Sequence, residues 1–185
     1  MGNRFLLSER QRLAIARSVA TDEQLKERKG KMRASFDGGE VWVDGFNTVI
    51  TLEVLFSDSL LFSCMDGTVR DLAALRGTYR MIPETTEAVR LLFDVLEELG
   101  AGFVHVLLDE PVSNSGRLKT LIAEIHEGRP FGLDVRILKE VDKALYDREN
   151  VVTSDSIILD HCRSWVDLMP VCVEKRGANL LRVWE

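Results

Sequence analysis

The sequence predicts an α/β fold in which helices cover both faces of a parallel sheet. Several short runs, such as residues 103–108 (FVHVLL), are apolar at almost every position. Such runs are typical of strands that are buried on both faces. They alternate along the chain with segments whose apolar residues recur every three or four positions, as in residues 91–99. This alternation indicates helices that connect parallel strands, with crossovers expected to be right-handed.

The N-terminal segment is predicted to form two helices. A hydroxyl residue followed three positions later by glutamine is the pattern of a capping box, which begins a helix. The pattern occurs at Ser8 with Gln11 and again at Thr21 with Gln24. We therefore expect helices over about residues 9–19 and 22–29.

Glycines then divide the chain into two predicted parts. Gly30, Gly38 and Gly39 indicate a linker, so residues 1–39 are expected to form a helical arm and linker, and residues 40–185 the α/β domain. Residues 1–33 carry nine basic and four acidic side chains, whereas the rest carries 15 and 26. This basic arm fits a nucleic-acid contact, a solvated helix pair, or docking onto the acidic body.

The elements of the α/β domain follow from the same patterns and from the residues that begin or end each element. Continuous apolar runs predict strands at 41–43, 103–108, 133–138, 151–153 and 165–168, and a tail strand near 180–184. Helical spacing predicts a buried helix at 48–56, helices from Pro83 to a stop at Gly100, at 115–127 and at 140–146, and one opened by Ser154-Asp155. Asp66-Gly67 between two apolar runs predicts a hairpin over 60–70.

Composition excludes several classes of protein. The chain has 185 residues, of which 45% are hydrophobic and 29% charged, enough to bury a core in a single domain. No apolar run reaches the roughly 18 to 20 residues of a membrane helix, and no secretory leader is evident, so we expect a cytoplasmic protein without a membrane partner. Three cysteines and no C-x-x-C pair predict neither a disulfide framework nor a zinc site, but buried, reduced thiols.

Acidic residues end three of the predicted strands. Asp44, Asp109 and Asp155 follow the strands at 41–43, 103–108 and 151–153. If these are strands 1, 2 and 4 of a sheet with order 3-2-1-4-5, the three acids meet where the strand order reverses, and this is where α/β sheets bind ligands. Carboxylates on strands about 4.8 Å apart could share one cation, and oxygen ligands favour Mg²⁺ or Mn²⁺. The alternative is that each aspartate caps the following helix.

Two of these aspartates lie in the sequence stretches VDGFN, after the first strand, and TSDSIILD, further on. Both stretches resemble motifs of the PIN/NYN-type nuclease superfamily. The resemblance implies a three-layer PIN-like sandwich with a central parallel sheet. It also implies that Asp44, Asp155 and Asp160 are metal ligands, that Asn47 positions a ligand or the substrate, and that Asp109 matches the acid after the second strand. The helix-borne glutamate of the superfamily is not identifiable among Glu53, Glu84 and Glu87.

A second resemblance covers most of the chain. The stretches VDGFNTVITLE, RDLAALRGTYR, LLDEPVSNSGRLK and TSDSIILD are similar to an uncharacterised prokaryotic family, a domain of unknown function. This resemblance implies no activity. The hairpin at 60–70 and the loop from Asp109 to Gly116 depart from the standard PIN pattern.

The leading hypothesis is a metal-dependent ribonuclease in which Asp44, Asn47, Asp109 and Asp155 carry the hydrolysis of a phosphodiester bond. Polar residues near the strand ends could bind a phosphate or simply cap a helix: Ser113, Asn114, Ser115 and Ser154. Arg70, Arg76 and Arg80 could grip RNA or pair internally, for example with Asp71.

Two alternatives remain open. One is a PIN-like module that binds RNA, a nucleotide or a protein without cleavage, and the other is a small nucleotide phosphohydrolase. The expected partners are RNA and, as an alternative to a monomer, a second copy of the chain. No P-loop, dinucleotide fingerprint or nucleophile elbow is present in the sequence.

Overall fold

The computed structural model describes residues 6–73 and 77–182. The helices are α1 (Glu9–Ser18), α2 (Asp22–Lys31), α3 (Gly45–Phe56), α4 (Glu84–Glu98), α5 (Ser115–His126), α6 (Val141–Leu145), α7 (Ser156–His161) and α8 (Met169–Arg176). The strands are β1 (Met32–Arg33), β2 (Glu40–Asp44), β3 (Leu61–Ser63), β4 (Val69–Asp71), β5 (Phe103–Asp109), β6 (Gly132–Leu138), β7 (Val151–Val152), β8 (Trp165–Val166) and β9 (Leu181–Arg182).

The described part of the chain contains a parallel six-stranded sheet. Its order is β1-β8-β7-β2-β5-β6, and every neighbouring pair is parallel. The five strands predicted for the α/β domain lie in the neighbour order assumed from the sequence, and β1 extends the sheet at one edge. The order reverses at β2, because β5 lies on one side of it and β7 on the other.

Two separate cores cover the faces of this sheet. Val43 and Val106 point into the larger core, which α3, α4 and α5 complete with residues such as Leu92. Their neighbours Trp42 and Leu107 point to the opposite face and pack in a smaller core with α6 and α7. Successive side chains of a strand face opposite sides, so strands covered on both faces must be apolar throughout. The α/β prediction is confirmed.

The hairpin forms a small sheet of its own. β3 and β4 are antiparallel, and β9 adds to β3 in parallel, giving the order β4-β3-β9. This sheet packs against α3. The predicted hairpin is therefore present, and the tail strand is present over its described residues, Leu181–Arg182.

The N-terminal helices begin where their caps predict. Ser8 and Thr21 each accept a hydrogen bond from the backbone of the glutamine three positions later, and each glutamine side chain bonds back to the cap. The linker predicted for 30–39 is shorter than expected, because Gly30 lies inside α2 and Met32 and Arg33 pair with Trp165 and Val166 in the sheet. The predicted boundary between arm and domain at residue 39 stays a prediction. β1 lies within the predicted arm, but it pairs with β8 in the sheet of the α/β domain.

Two further differences concern the C-terminal part. α8 was not predicted, and the strand expected at 165–168 ends at Val166, since Leu168 already has helical backbone angles at the N-cap position of α8. Cys64, Cys162 and Cys172 are free and buried, as expected. Among the described residues, no helix combines the length and apolar composition that crossing a membrane requires.

Candidate active site

A cleft of about 520 Å³ opens at the carboxyl ends of the central strands. Its lining carries five carboxylates, and we call it the acidic cleft: Asp44, Asp71, Asp109, Asp142 and Asp155. Among the described residues that line it, Arg17 is the basic one. The structure thus brings together the three strand-end aspartates that the sequence singled out. A site with this charge balance is suited to a cation.

The register of the sheet explains how the aspartates are arranged. Asp44 lies opposite Leu107, so Asp109 stands two residues further along β5. At 3.3 Å per residue, that is about 6.6 Å nearer the mouth of the cleft. On the other side of β2, the hydroxyl of Thr153 donates a hydrogen bond of 2.8 Å to Asp44. Asp44 therefore forms the floor of the acidic cleft, and Asp109 lies toward its rim.

Asp44 is a buried carboxyl group without a cationic partner in the described part of the chain. It is 6% exposed, and it accepts no capping hydrogen bond from α3 within the described residues. Burial raises the pKa of Asp44 to about 8, and the charges of Asp155, Asp109 and Asp142 act in the same direction against the hydrogen bond from Thr153. Crowded like charges of this kind are relieved by a bound cation.

Asp155 has a local role that Asp44 lacks. Its Oδ1 atom accepts hydrogen bonds from the backbone N–H groups of Ile157 and Ile158, at 2.8 and 3.2 Å. Asp155 is thus the N-cap of α7, and it also lines the acidic cleft. Capping and ligand binding are therefore compatible for this residue.

Two carboxylates of the acidic cleft escaped the sequence analysis. Asp142 lies in the first turn of α6, and its pKa is raised by burial and by the charge of Asp155. Burial and the charge of Asp142 likewise raise the pKa of Asp109. The available signal was that α6 follows β6, so its start lies at the same edge of the sheet. Asp71 ends β4, in the other sheet, and no strand-end rule for the central sheet could have found it.

Asn47 ties α3 to the end of β7. Its Oδ1 atom accepts hydrogen bonds from the backbone N–H of Ser154 at 2.9 Å and from the Ser154 hydroxyl at 3.1 Å. Asn47 also lines the acidic cleft. Ser154 does not line the acidic cleft, and its backbone N–H and hydroxyl serve to position Asn47.

Asp160 does not reach the acidic cleft. Its two carboxylate oxygens accept hydrogen bonds from Arg28 at 2.7 Å and from Gln24 at 3.0 Å. Burial would raise the pKa of Asp160, but the hydrogen bond and the charge of Arg28 lower it. The structure thus engages Asp160, which the resemblance implied as a metal ligand, with α2. The acidic cleft is lined by Asp142 of α6 and not by Asp160.

The predicted phosphate-binding residues at the start of α5 hold a loop instead. The hydroxyl of Ser113 donates to the carbonyl oxygen of Tyr79, and so does the side-chain amide of Asn114. Asn114 has a left-handed backbone, with φ of 63°, and Ser115 begins α5. These contacts fix the loop above the acidic cleft and leave the phosphate role without support.

The predicted arginines lie in different surroundings, and Arg70 takes the internal pairing that was one of its two predicted roles. Arg70 is buried, and it donates to the carbonyl oxygen of Ser154 and to Asp66, so it does not grip a substrate. Arg80 is exposed, whereas Arg76 lies outside the described residues. Glu53, a candidate for the helix-borne glutamate, is buried and accepts hydrogen bonds from Tyr79 and Thr85.

The carboxylates converge without forming a closed cage. In residues 6–73 and 77–182, no three histidine, cysteine, aspartate or glutamate side chains stand close enough to hold a metal ion as they are oriented. Aspartate side chains have two rotatable bonds, so the backbone alone does not fix where their oxygens point. The acidic cleft therefore offers the right ligand type in an open arrangement.

Comparison with known proteins gives three findings. Residues 33–171 match the family described as Domain of unknown function (DUF5616), and residues 1–31 match Protein of unknown function (DUF434). Uncharacterized protein MJ0935 of Methanocaldococcus jannaschii is 32% identical over 178 residues, which cover 94% of this chain and 85% of that relative. No solved structure matches the chain.

Proposed function

The chain belongs to the family described as Domain of unknown function (DUF5616), and we propose that it is a divalent-metal-dependent nuclease that hydrolyses phosphodiester bonds of RNA in the acidic cleft. The observation that carries this proposal is the convergence of four aspartates from separate elements around the buried Asp44. Single aspartates after strands are common helix caps, but Asp44 makes no capping bond within the described residues.

We also propose that the fold is PIN/NYN-like. The strand order β6-β5-β2-β7-β8 supports this proposal, with helices on both faces and the VDGFN stretch at the end of β2. The site lies where the strand order reverses, as is general for ligand sites in open α/β sheets. The hairpin sheet β4-β3-β9 is an addition to that plan.

The residues that would hold the metal are Asp44, Asp109, Asp142 and Asp155. Their oxygen atoms suit Mg²⁺ or Mn²⁺, and Asp44, whose pKa is raised first by burial, lies among the other carboxylates of the cleft. When bound, such an ion supplies a water of lowered pKa and neutralises charge that develops on the phosphate.

The chain's own residues supply position and orientation. Thr153 holds Asp44 through its hydroxyl, and Ser154 holds Asn47, so both cleft residues are fixed to the end of β7. Asn47 can then orient a phosphate oxygen or the attacking water. In the reaction, a water oxygen bonds to phosphorus, one P–O ester bond breaks, and the leaving oxygen gains the proton that the water loses.

The test compares two aspartates inside the acidic cleft with one outside it. Asp142→Asn and Asp44→Asn should abolish Mn²⁺-dependent cleavage of a labelled RNA oligomer. They should also weaken Mn²⁺ binding by at least ~10-fold. Removing a residue that only hydrogen-bonds to a metal ligand already costs about this much affinity, so removing the ligand itself should cost no less. Asp160→Asn is the matched control, because it removes one carboxylate from outside the acidic cleft. It should lower the melting temperature but keep cleavage.

If Asp160→Asn loses cleavage and Asp142→Asn keeps full activity, the proposed set of metal ligands, which includes Asp142 and not Asp160, is refuted. Calorimetry of the wild-type chain that shows no Mn²⁺ binding would refute the metal site itself.

A specific observation favours the second candidate, a module that binds without cleaving. The open arrangement of the carboxylates lacks a preformed three-ligand group in the part of the chain that is described. Such a module would bind RNA equally with and without Mn²⁺ and would leave the oligomer intact.

A further inference from the structure

Helix α1 of the basic arm forms one wall of the acidic cleft. Leu13 and Arg17 line the cleft, and they are four positions apart on one helix face. Arg10 lies three positions before Leu13, so it continues this face toward the start of the helix. A stripe of Arg10, Leu13 and Arg17 therefore leads from the exposed end of α1 into the cleft.

The end of this stripe is fixed by a buried cation. Arg70 is 3% exposed and donates through its Nη1 atom to the carbonyl oxygen of Arg17, at 2.5 Å. The same guanidinium bonds to the carbonyl oxygen of Ser154 and to the carboxylate of Asp66, both at 2.7 Å. The backbone N–H of Met65 also donates to the carbonyl oxygen of Ser18. The last turn of α1 is thus fixed to the segment that holds Asn47.

The guanidinium of Arg17 is held loosely by comparison. Its Nη1 atom lies 3.8 Å from Asp71, beyond hydrogen-bond distance, and its side chain is 27% exposed. Asp71 already accepts hydrogen bonds from the hydroxyl of Thr51 at 2.8 Å and from the backbone N–H of Ala73 at 2.7 Å. Arg17 can therefore turn to another anion without leaving Asp71 unsatisfied.

We propose that Arg17 and Arg10 bind separate phosphates of one oligonucleotide strand that enters the acidic cleft along α1. This proposal rests on the proposed function and names its substrate class as an oligonucleotide, not a mononucleotide. Seven residues of helix separate the Cα atoms of Arg10 and Arg17 by about 10.5 Å, so each guanidinium can take its own phosphate along one strand. A guanidinium fork matches phosphate oxygens, and Arg17 places one such fork beside the carboxylates.

Binding of a fluorescent single-stranded RNA oligomer tests this proposal. It is measured by anisotropy in Ca²⁺, a cation that takes the same oxygen ligands as Mg²⁺. Arg17→Ala and Arg10→Ala should each weaken binding and reduce the slope of log affinity against log salt by about 0.7, the share of one phosphate contact in a single strand. Arg17→Lys should restore the slope but only part of the affinity, because lysine keeps the charge and loses the fork.

The matched control is Arg12→Ala on the same helix. Arg12 is exposed, donates to the carbonyl oxygen of Leu7, and faces about 140° away from Arg17. This variant should change neither the affinity for RNA nor the salt slope.

A second readout separates phosphate binding from a merely structural role. Removing Arg17 takes one positive charge from the acidic cleft, so Mn²⁺ should bind more tightly to Arg17→Ala while RNA binds less tightly. If Arg17 serves only to neutralise Asp71, Mn²⁺ binding alone should change. That result, or a salt slope equal to that of the wild type in both arginine variants, would overturn the proposal.

The outcomes distinguish this proposal from the function it rests on. In one outcome, the wild-type chain binds RNA without cleaving it, and the arginine variants bind it more weakly. That result would support the proposed path of the RNA strand along α1, called the strand path, and would refute the nuclease. Cleavage with an unchanged KM in Arg17→Ala and Arg10→Ala would leave the nuclease intact and overturn the strand path. Phosphate release from mononucleotides with no oligomer binding would overturn the strand path and favour a nucleotide hydrolase.

Discussion

Aspartates at equivalent places in a fold can have different chemistry. One carboxylate oxygen of Asp155 caps α7. Asp44 ends β2 and makes no capping hydrogen bond to α3 within the described residues, and it is buried among like charges. The sequence pattern is the same in both cases, an acid after a short apolar run. Burial and neighbours decide whether the carboxylate serves the helix or a ligand.

Asp167 gives a pH-dependent prediction away from the acidic cleft. It follows β8 and accepts a hydrogen bond from the backbone N–H of Met169 at 3.0 Å. Burial raises the pKa of Asp167 from 3.8 to about 6. A raised folded-state pKa means that the protonated group favours folding, so this contribution is complete below about pH 4 and is lost as the pH rises through 6.

We therefore expect Asp167→Asn to gain stability relative to the wild type as the pH rises from 4 to 6. Between these pH values the stability difference should grow by roughly 1.4 kcal/mol per pH unit. Above about pH 6 the accumulated difference should stay constant. Urea unfolding at several pH values measures the difference. Parallel profiles for the two chains would show that burial does not perturb Asp167.

At the scale of elements, α3 can lie close to β5 because its first residue, Gly45, has no side chain. A Cβ atom on Gly45 would lie 2.7 Å from the carbonyl oxygen of Leu107 and 2.6 Å from a methyl group of Leu108. α3 therefore starts in direct contact with β5, and this contact positions Asn47 two residues later. The sequence places a glycine here, but it does not state which backbone approaches it.

We expect Gly45→Ala to destabilise the chain by roughly 1 to 3 kcal/mol, the usual cost of overpacking, and to reduce cleavage by displacing Asn47. Gly116→Ala is the control, because a Cβ atom there meets nothing within 4 Å in α5. It should be neutral or stabilise by roughly 0.5 kcal/mol. Thermal unfolding measures both variants, and equal effects would contradict the contact argument.

At the scale of the whole molecule, part of the basic charge of the arm is used internally. Arg28 is 2% exposed and donates to Asp66 at 2.6 Å and to Asp160 at 2.7 Å. Its backbone carbonyl also accepts the indole N–H of Trp165. Burial would raise the pKa of Asp66, but the charge of Arg70 and hydrogen bonds from Thr68, Arg70 and Arg28 lower it. α2 is therefore held to the α/β domain by one buried ion pair, with Asp66, and one partly buried ion pair, with Asp160.

We expect Arg28→Ala to cost about 3 kcal/mol in the free energy of unfolding. This is the lower end for breaking a buried pair, because Arg70 still faces Asp66. Lys26→Ala, at an exposed position of the same helix, should change stability by no more than about 0.5 kcal/mol. Urea unfolding compares them, and a small effect of Arg28→Ala would show that the arm is not anchored by this network.

Much of the architecture was predictable because its signals are local. The capping boxes fixed the starts of α1 and α2, and the apolar runs located the central strands. α8 was missed because the strand predicted at 165–168 includes Leu168, the residue at the N-cap position of this helix. In the acidic cleft, Asp44, Asn47, Asp109 and Asp155 were found, whereas Asp142 and Asp71 were not.

The sequence alone determined the alternation of strands and helices and the positions of acids just after strands, because these depend on residues near one another in the chain. The tertiary structure decided which charged groups meet. Arg28 reaches Asp160 across 132 positions of the chain, and Thr153 reaches Asp44 across 109. Pairings over such separations depend on how elements pack, so only the folded chain sends Asp160 to α2 and Asp142 to the acidic cleft.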